Sequence, residues 1–163
     1  MSMGTSEGGN NAEVVRVWLL SGFRVSVGRR TIGEDVWRLR KAKAIVKLLA
    51  LAPGHRLHRE RVLDLLWPNL GRQAAANNLR QALHVARRMF DPDPEVGTRY
   101  LDSQDDVLAL CLASPLSVDV DAFKEAAKAA CCSGEPAAYR SGLDLYSGDL
   151  LPGDRYEEWA AYL

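Results

Sequence analysis

The side chains best suited to recognise another molecule lie between Arg72 and Phe90, in the run RQAAANNLRQALHVARRMF. Asn and Gln match the major-groove edge of adenine, and Arg matches that of guanine. At a helical repeat Asn77, Asn78, Gln81, His84 and Arg88 share one side, flanked by Arg80 and Arg87. Ala75, Leu79, Leu83, Ala86 and Phe90 form an apolar stripe on the other side. A solvated surface helix usually mixes both charge signs to gain i,i+4 pairs. This run contains no acid, so it reads as a helix built to face base edges. Val85 falls among Gln81, His84 and Arg88 on the wheel, where an apolar group suits a thymine methyl.

Phosphate contacts would need further basic groups near such a helix. The run 40–52 (RKAKAIVKLLALA) predicts a helix whose apolar face is Ala44, Ile45, Leu48, Leu49 and Ala52, stopped by Pro53-Gly54. Its first turn holds Arg40, Lys41 and Lys43, which oppose the helix dipole. Two readings stand for that turn, a solvated end or a phosphate contact. His55, Arg56, His58 and Arg59 cluster where a second helix is expected over 58–67, a natural phosphate clamp. Arg99 and Tyr100 are candidates for backbone or minor-groove contact.

Other chemistries find little support. His55 and His58 have no Cys or acid at zinc-ligand spacing. Cys131 and Cys132 adjoin on an expected helix and would point about 100° apart, which disfavours a redox pair. The sequence shows no nucleotide loop, metal cluster or nucleophile–base pair, and His84 lacks a carboxylate to orient it. Neither an enzyme nor a cofactor or metal is expected.

The net charge of zero hides an asymmetry. Residues 36–90 hold twelve Lys and Arg against Glu60 and Asp64, a local charge of +10. Residues 113–163 hold four bases against nine acids, a local charge of −5. A polyanion-binding half joined to a half with another task is implied. The odd count of three Cys fits a reducing cytoplasm. No membrane span or signal peptide is seen.

Residues 14–20 and 23–27 read as short strands, and 31–32 with 36–38 complete a small antiparallel sheet. Trp18 and Trp37 are expected in the core or on the sheet face. A helix, the connector Pro68-Asn69-Leu70-Gly71 and the basic helix make a helix-turn-helix pattern. A loop over 91–96 then leads to strands at 98–101 and 107–112, the hairpin of a winged helix. The hairpin tip, 102–106, is acidic and would be repelled by phosphate, so either it points away or the wing inserts shallowly. Pro115 marks a boundary. Beyond it, Asp121 is the expected N-cap of a helix over 122–132 whose buried side is Phe123, Ala126, Ala127 and Ala130. Residues 137–145 form its antiparallel partner, and 156–163 start another helix.

Several motifs continue in order: Trp37-Arg38-Leu39-Arg40-Lys41-Ala42-Lys43-Ala44, Leu51-Ala52-Pro53-Gly54-His55-Arg56-Leu57, Leu65-Leu66-Trp67-Pro68, Asn77-Asn78-Leu79-Arg80, Val118-Asp119-Val120-Asp121-Ala122-Phe123, and Gly148-Asp149-Leu150-Leu151-Pro152-Gly153. Together they resemble the antibiotic-regulatory-protein (SARP-type) transcriptional regulators, over residues 14–163. The resemblance implies an α+β chain: an OmpR-type winged helix-turn-helix over 14–114, and the truncated start of an all-α, tetratricopeptide-like bacterial transcriptional activation domain over 115–163. Ahead of it the Gly-, Ser- and Asn-rich start reads as a disordered leader, 1–13. The winged helix would comprise an N-terminal antiparallel sheet, three helices and a C-terminal hairpin. Because one helical hairpin cannot bury its own faces, a longer parent is expected. The resemblance further implies head-to-tail pairs on tandem direct repeats in promoter DNA. It also implies recruitment of RNA polymerase through Pro68, Asn69, Leu70 and Gly71. The wing tip departs from the family in carrying Gln104-Asp105-Asp106.

The expected function is that of a bacterial cytoplasmic, nucleoid-associated transcription regulator, an activator. Asn77, Asn78, Gln81, His84, Val85 and Arg88 would read bases, while Arg40, Lys41, Lys43, His55, Arg56, Arg59, Arg80, Arg87, Arg99 and Tyr100 would bind phosphates. The alternative is a winged helix that docks on polymerase or a partner without reading DNA.

Overall fold

The structure, a computed structural model, describes residues 13–162. The leader expected at 1–13 therefore lies, except for Glu13, outside the described residues. Strands β1 (Val15–Trp18), β2 (Arg24–Val27) and β3 (Arg30–Gly33) form an antiparallel meander. In β1, Val15 and Val17 are buried while Arg16 is exposed, the alternation of a half-buried strand. Val27 pairs with Arg30, so Gly28-Arg29 is a two-residue hairpin loop, and Gly28 takes the positive φ it needs (57°). Residues 36–38 do not add a strand: Glu34–Val36 is a 3-10 turn, and it brings Trp37 into the core against Phe23, ring centroids 5.6 Å apart. Trp18 lies half-buried on the sheet with the Arg24 guanidinium over its ring.

Helix α1 (Arg40–Leu51) runs through the middle of the molecule. Every residue from Ala44 to Ala50 is buried, including Lys47. The Pro53-Gly54 stop leads to β4 (Arg56–His58), so the second helix starts one residue later than expected, as α2 (Arg59–Leu66). Helix α3 (Arg72–Phe90) has the predicted bounds.

The stretch after α3 differs from expectation. Residues 94–100 form a helix, α4 (Pro94–Tyr100), where a loop and a strand were expected. The Asp93 side chain accepts from Glu95 N at 3.0 Å, and Pro94 occupies the first turn, where a missing N–H costs nothing. Helix α4 packs tightly on α3: a Cβ at Gly97 would lie 2.7 Å from the Arg87 carbonyl oxygen. The hairpin follows as β5 (Leu101–Gln104) and β6 (Val107–Leu110), and β4 pairs with β6 to complete a three-stranded sheet in the order β4-β6-β5.

Past Pro115 the chain returns to the first sheet. Strand β7 (Leu116–Val118) lies parallel to β1, giving the order β3-β2-β1-β7. Helix α5 (Asp119–Ser133) begins two residues before the expected cap. Asp119 is the fastening point: its carboxylate accepts from Leu19 N, Leu20 N and Val120 N at 2.8–3.0 Å. Asp121 is not the N-cap and instead meets His55 Nε2 at 3.1 Å. Val120 and Ala130 are the buried positions of α5, with Phe123, Ala126 and Ala127 half-buried. Gly134 closes α5 in the left-handed region, and α6 (Pro136–Asp144) packs back on it near Ala126 and Gly142. Glu158–Tyr162 is a 3-10 turn rather than the α-helix expected there, and it buries Trp159.

Candidate nucleic-acid interface

Helix α3 is anchored through Ala75, Leu79, Ala82, Leu83, Ala86 and Phe90, all buried. The opposite face exposes Gln73, Asn77, Arg80, Gln81, His84 and Arg88. Four expected base readers therefore share one exposed face: Asn77, Gln81, His84 and Arg88. Two do not. Asn78 is half-buried at the flank, and Val85 is half-buried and packs against the core, which removes the reason for giving it a thymine methyl. Two residues join the face unexpectedly. Arg80 lies within it rather than beside it, and Gln73, which the sequence reading passed over, lies one turn before Asn77. The i,i+4 spacing of Gln73 and Asn77 was the available signal. Asn77 Oδ1 accepts from Gln73 Nε2 and from Arg80 Nη1, each at 3.4 Å. Among the described residues no carboxylate pairs with Arg80, His84 or Arg88.

The expected phosphate ligands scatter. Arg40 pairs with Glu157, and Lys43 pairs with Glu34 at 3.0 Å. Lys41 is half-buried in the cleft that these two acids line with Asp154 and Trp159. Beneath them, fully buried Lys47 reaches both Glu34, at 3.0 Å, and Asp154. Burial disfavours the Glu34 carboxylate, but hydrogen bonds and charge from Lys43 and Lys47 outweigh it and hold the group below its ordinary value. The basic first turn of α1 thus faces the acidic C-terminal segment. His55 is similarly occupied, with Nδ1 3.3 Å from Leu49 O and Nε2 against Asp121.

Arg87 donates from Nε to Leu101 O at 2.8 Å, tying α3 to β5. Burial pulls its guanidinium below the usual value, partly offset by Asp102. Tyr100 is buried and stacks on Phe90 with ring centroids 5.8 Å apart, so it cannot reach a phosphate; burial first, then nearby acids, pushes its phenol up. Arg56, on β4, and Arg99, on α4, are exposed, and Arg59 is half-buried.

Pro68, Asn69, Leu70 and Gly71 form an exposed turn in which Leu70 N donates to Trp67 O at 3.2 Å. A groove of about 780 Å³ opens beside it, lined by Leu63, Trp67, Leu70, Gln73, Asp105 and Asp106 among others. Asp105 and Asp106 both take positive φ, 51° and 59°, as the loop of a two-residue hairpin. Asp106 O accepts from Arg59 N at 2.7 Å. The acidic tip is thereby drawn against the positive end of α2.

Among the described residues no three His, Cys, Asp or Glu side chains group as a metal site, and no helix is long and apolar enough to cross a membrane. Cys111 is buried, its thiol pushed up to about 12 by burial; Cys131 and Cys132 are exposed.

No family model and no curated protein matches the sequence. Among solved structures the fold is similar to Mycobacterium tuberculosis EmbR, solved in complex with a low-affinity phosphopeptide. The TM-score is 0.72 at 13% identity, over 91% of this chain. The chain spans 40% of that protein's length. The likeness is one of fold.

Proposed function

We propose that this chain is a sequence-specific DNA-binding transcription regulator of the SARP type, in which α3 enters the major groove of promoter DNA. The observation that carries this reading is the exposed face of α3: Gln73, Asn77, Arg80, Gln81, His84 and Arg88, with no carboxylate paired to its cations among the described residues. The winged-helix arrangement of α2, α3 and the β5–β6 hairpin supports it. So do the sequence motifs and the fold likeness.

In this reading Asn77, Gln81, His84 and Arg88 meet base edges while Arg56, Arg59 and Arg99 neutralise phosphates. The wing, with its acidic tip held back, stays shallow. The protein acts in the bacterial cytoplasm as an activator, binds tandem direct repeats as a head-to-tail pair, and contacts RNA polymerase through the turn at Pro68, Asn69, Leu70 and Gly71. Helices α5 and α6 begin a tetratricopeptide-like activation domain. The chain performs no catalysis and needs no cofactor. The groove beside the Pro68 turn favours a second reading, in which the winged helix docks on a protein and does not read DNA.

Selection of bound duplexes from a random pool separates the two. A regulator enriches a direct repeat with half-sites about one helical turn apart. With three or four phosphate contacts its affinity falls with salt at a log–log slope of about −3 to −4. Failure to enrich any sequence refutes the DNA reading and leaves the docking module.

A further inference from the structure

Arg80 lies on the reading face beside Asn77, whereas its basic charge alone suggests a phosphate ligand. Gln73, Asn77 and Arg80 stand at i, i+4 and i+7, one above the other on two turns of α3. The carboxamide oxygen of Asn77 receives the Gln73 amide and the Arg80 guanidinium together, at 3.4 Å each. An amide oxygen has two lone pairs, and both are taken. What Asn77 has left for a ligand is Nδ2, which only donates. Arg80 spends one N–H on Asn77 and keeps the rest of its donors; a guanidinium accepts nothing. Asn77 and Arg80 therefore present an outward array of donors with no acceptor.

Of the four bases in the major groove, guanine presents two adjacent acceptors, N7 and O6. Adenine interposes a donor, cytosine presents a donor, and thymine offers one acceptor beside a methyl. We infer that Asn77 and Arg80 together select guanine at one position of the half-site, with Gln73 as the positioning residue that fixes the Asn77 amide. The inference rests on the DNA-binding reading above and gives it a base. Phosphate oxygens are also acceptors, so the test must separate base from backbone.

The full chain and its Arg80→Ala, Asn77→Asp and Gln73→Ala variants are each put through selection from a random duplex pool, and their salt dependence is measured on the selected site. All three side chains are exposed, so melting at the parent's temperature verifies the fold. Arg80→Ala is expected to lower the preference for guanine at one position by about 10- to 100-fold while leaving the salt slope unchanged. Asn77→Asp replaces the donor Nδ2 by an acceptor and lowers the preference for guanine at that position, part of which Arg80 retains. Gln73→Ala relaxes the same position by a smaller factor. The inference is overturned if Arg80→Ala weakens binding equally on all sequences and reduces the slope by about one, the signature of a phosphate contact; DNA binding itself then stands. It is also overturned if Asn77→Asp keeps the parent's base preference. A parent chain that enriches no sequence removes the DNA reading and this inference with it.

Discussion

At the first turn of α1, Arg40 and Lys43 each lie against a carboxylate, and Lys47 below them against two. Along the outer face of α3, Arg80 and Arg88 meet none among the described residues. Both stretches are basic in sequence and belong to the same +10 segment. They differ in what the rest of the chain brings to them. Acids from the Glu34 turn and from residues 154–157 arrive at α1, so its charge serves internal cohesion. On α3 Glu60 pairs with Arg72 at the helix start, and among the described residues no carboxylate pairs with Arg80, His84 or Arg88. A local excess of Lys and Arg is thus left available to an outside anion only where no distant acid folds onto it.

The largest expected effect tests the occupied side. Asp154→Ala leaves the buried Lys47 ammonium with only Glu34, and loss of one partner of a buried pair costs about 3–5 kcal/mol. Urea unfolding should show this as a lower midpoint. An unchanged midpoint would mean that water already compensates Lys47.

Next comes the direct contrast. Arg88→Ala should weaken binding to a selected site by about 1–3 kcal/mol. Arg40→Ala, at an exposed ion pair, should cost less than about 1 kcal/mol of stability and change neither affinity nor salt slope. If Arg40→Ala flattens the slope, the α1 turn touches phosphate after all and the contrast fails.

The smallest effect is on acid stability. Because the Glu34 pKa is lowered by folding, its contribution is fully present above the ordinary carboxylate value and is lost as pH falls through the folded one. Stability measured from pH 6 down to pH 3 should therefore fall less steeply in Glu34→Gln than in the parent.

What could be read directly from the sequence follows the same division. Helix α3 emerged with its bounds because nineteen residues of unbroken apolar periodicity define both faces. Helix α1 was found within a residue, yet its buried Lys47 was not, since nothing local foretells Asp154 arriving from 107 residues away. Helix α4 was missed although Asp93-Pro94-Glu95 is a helix start; two prolines and three acids in 91–96 also look like a loop. Strand β7 is three residues long and pairs with a strand a hundred residues earlier, so no local pattern announces it. Within the site, the Gln73–Asn77–Arg80 column was legible on a helical wheel. The burial of Val85 and Tyr100 depended on packing from other elements.

The parallel pairing of β7 with β1 has a consequence for how this molecule can be divided. A piece ending at Pro115 would keep α2 and α3 but strip β1 of its outer neighbour. Val15, Arg16 and Val17 would lose their pairing with Leu116, Ser117 and Val118, and Leu19 N and Leu20 N would lose the Asp119 carboxylate. The result would be an open, apolar strand edge of the kind that recruits other chains. The smallest piece that keeps the edge of β1 covered therefore extends past β7 to Asp119 at the start of α5.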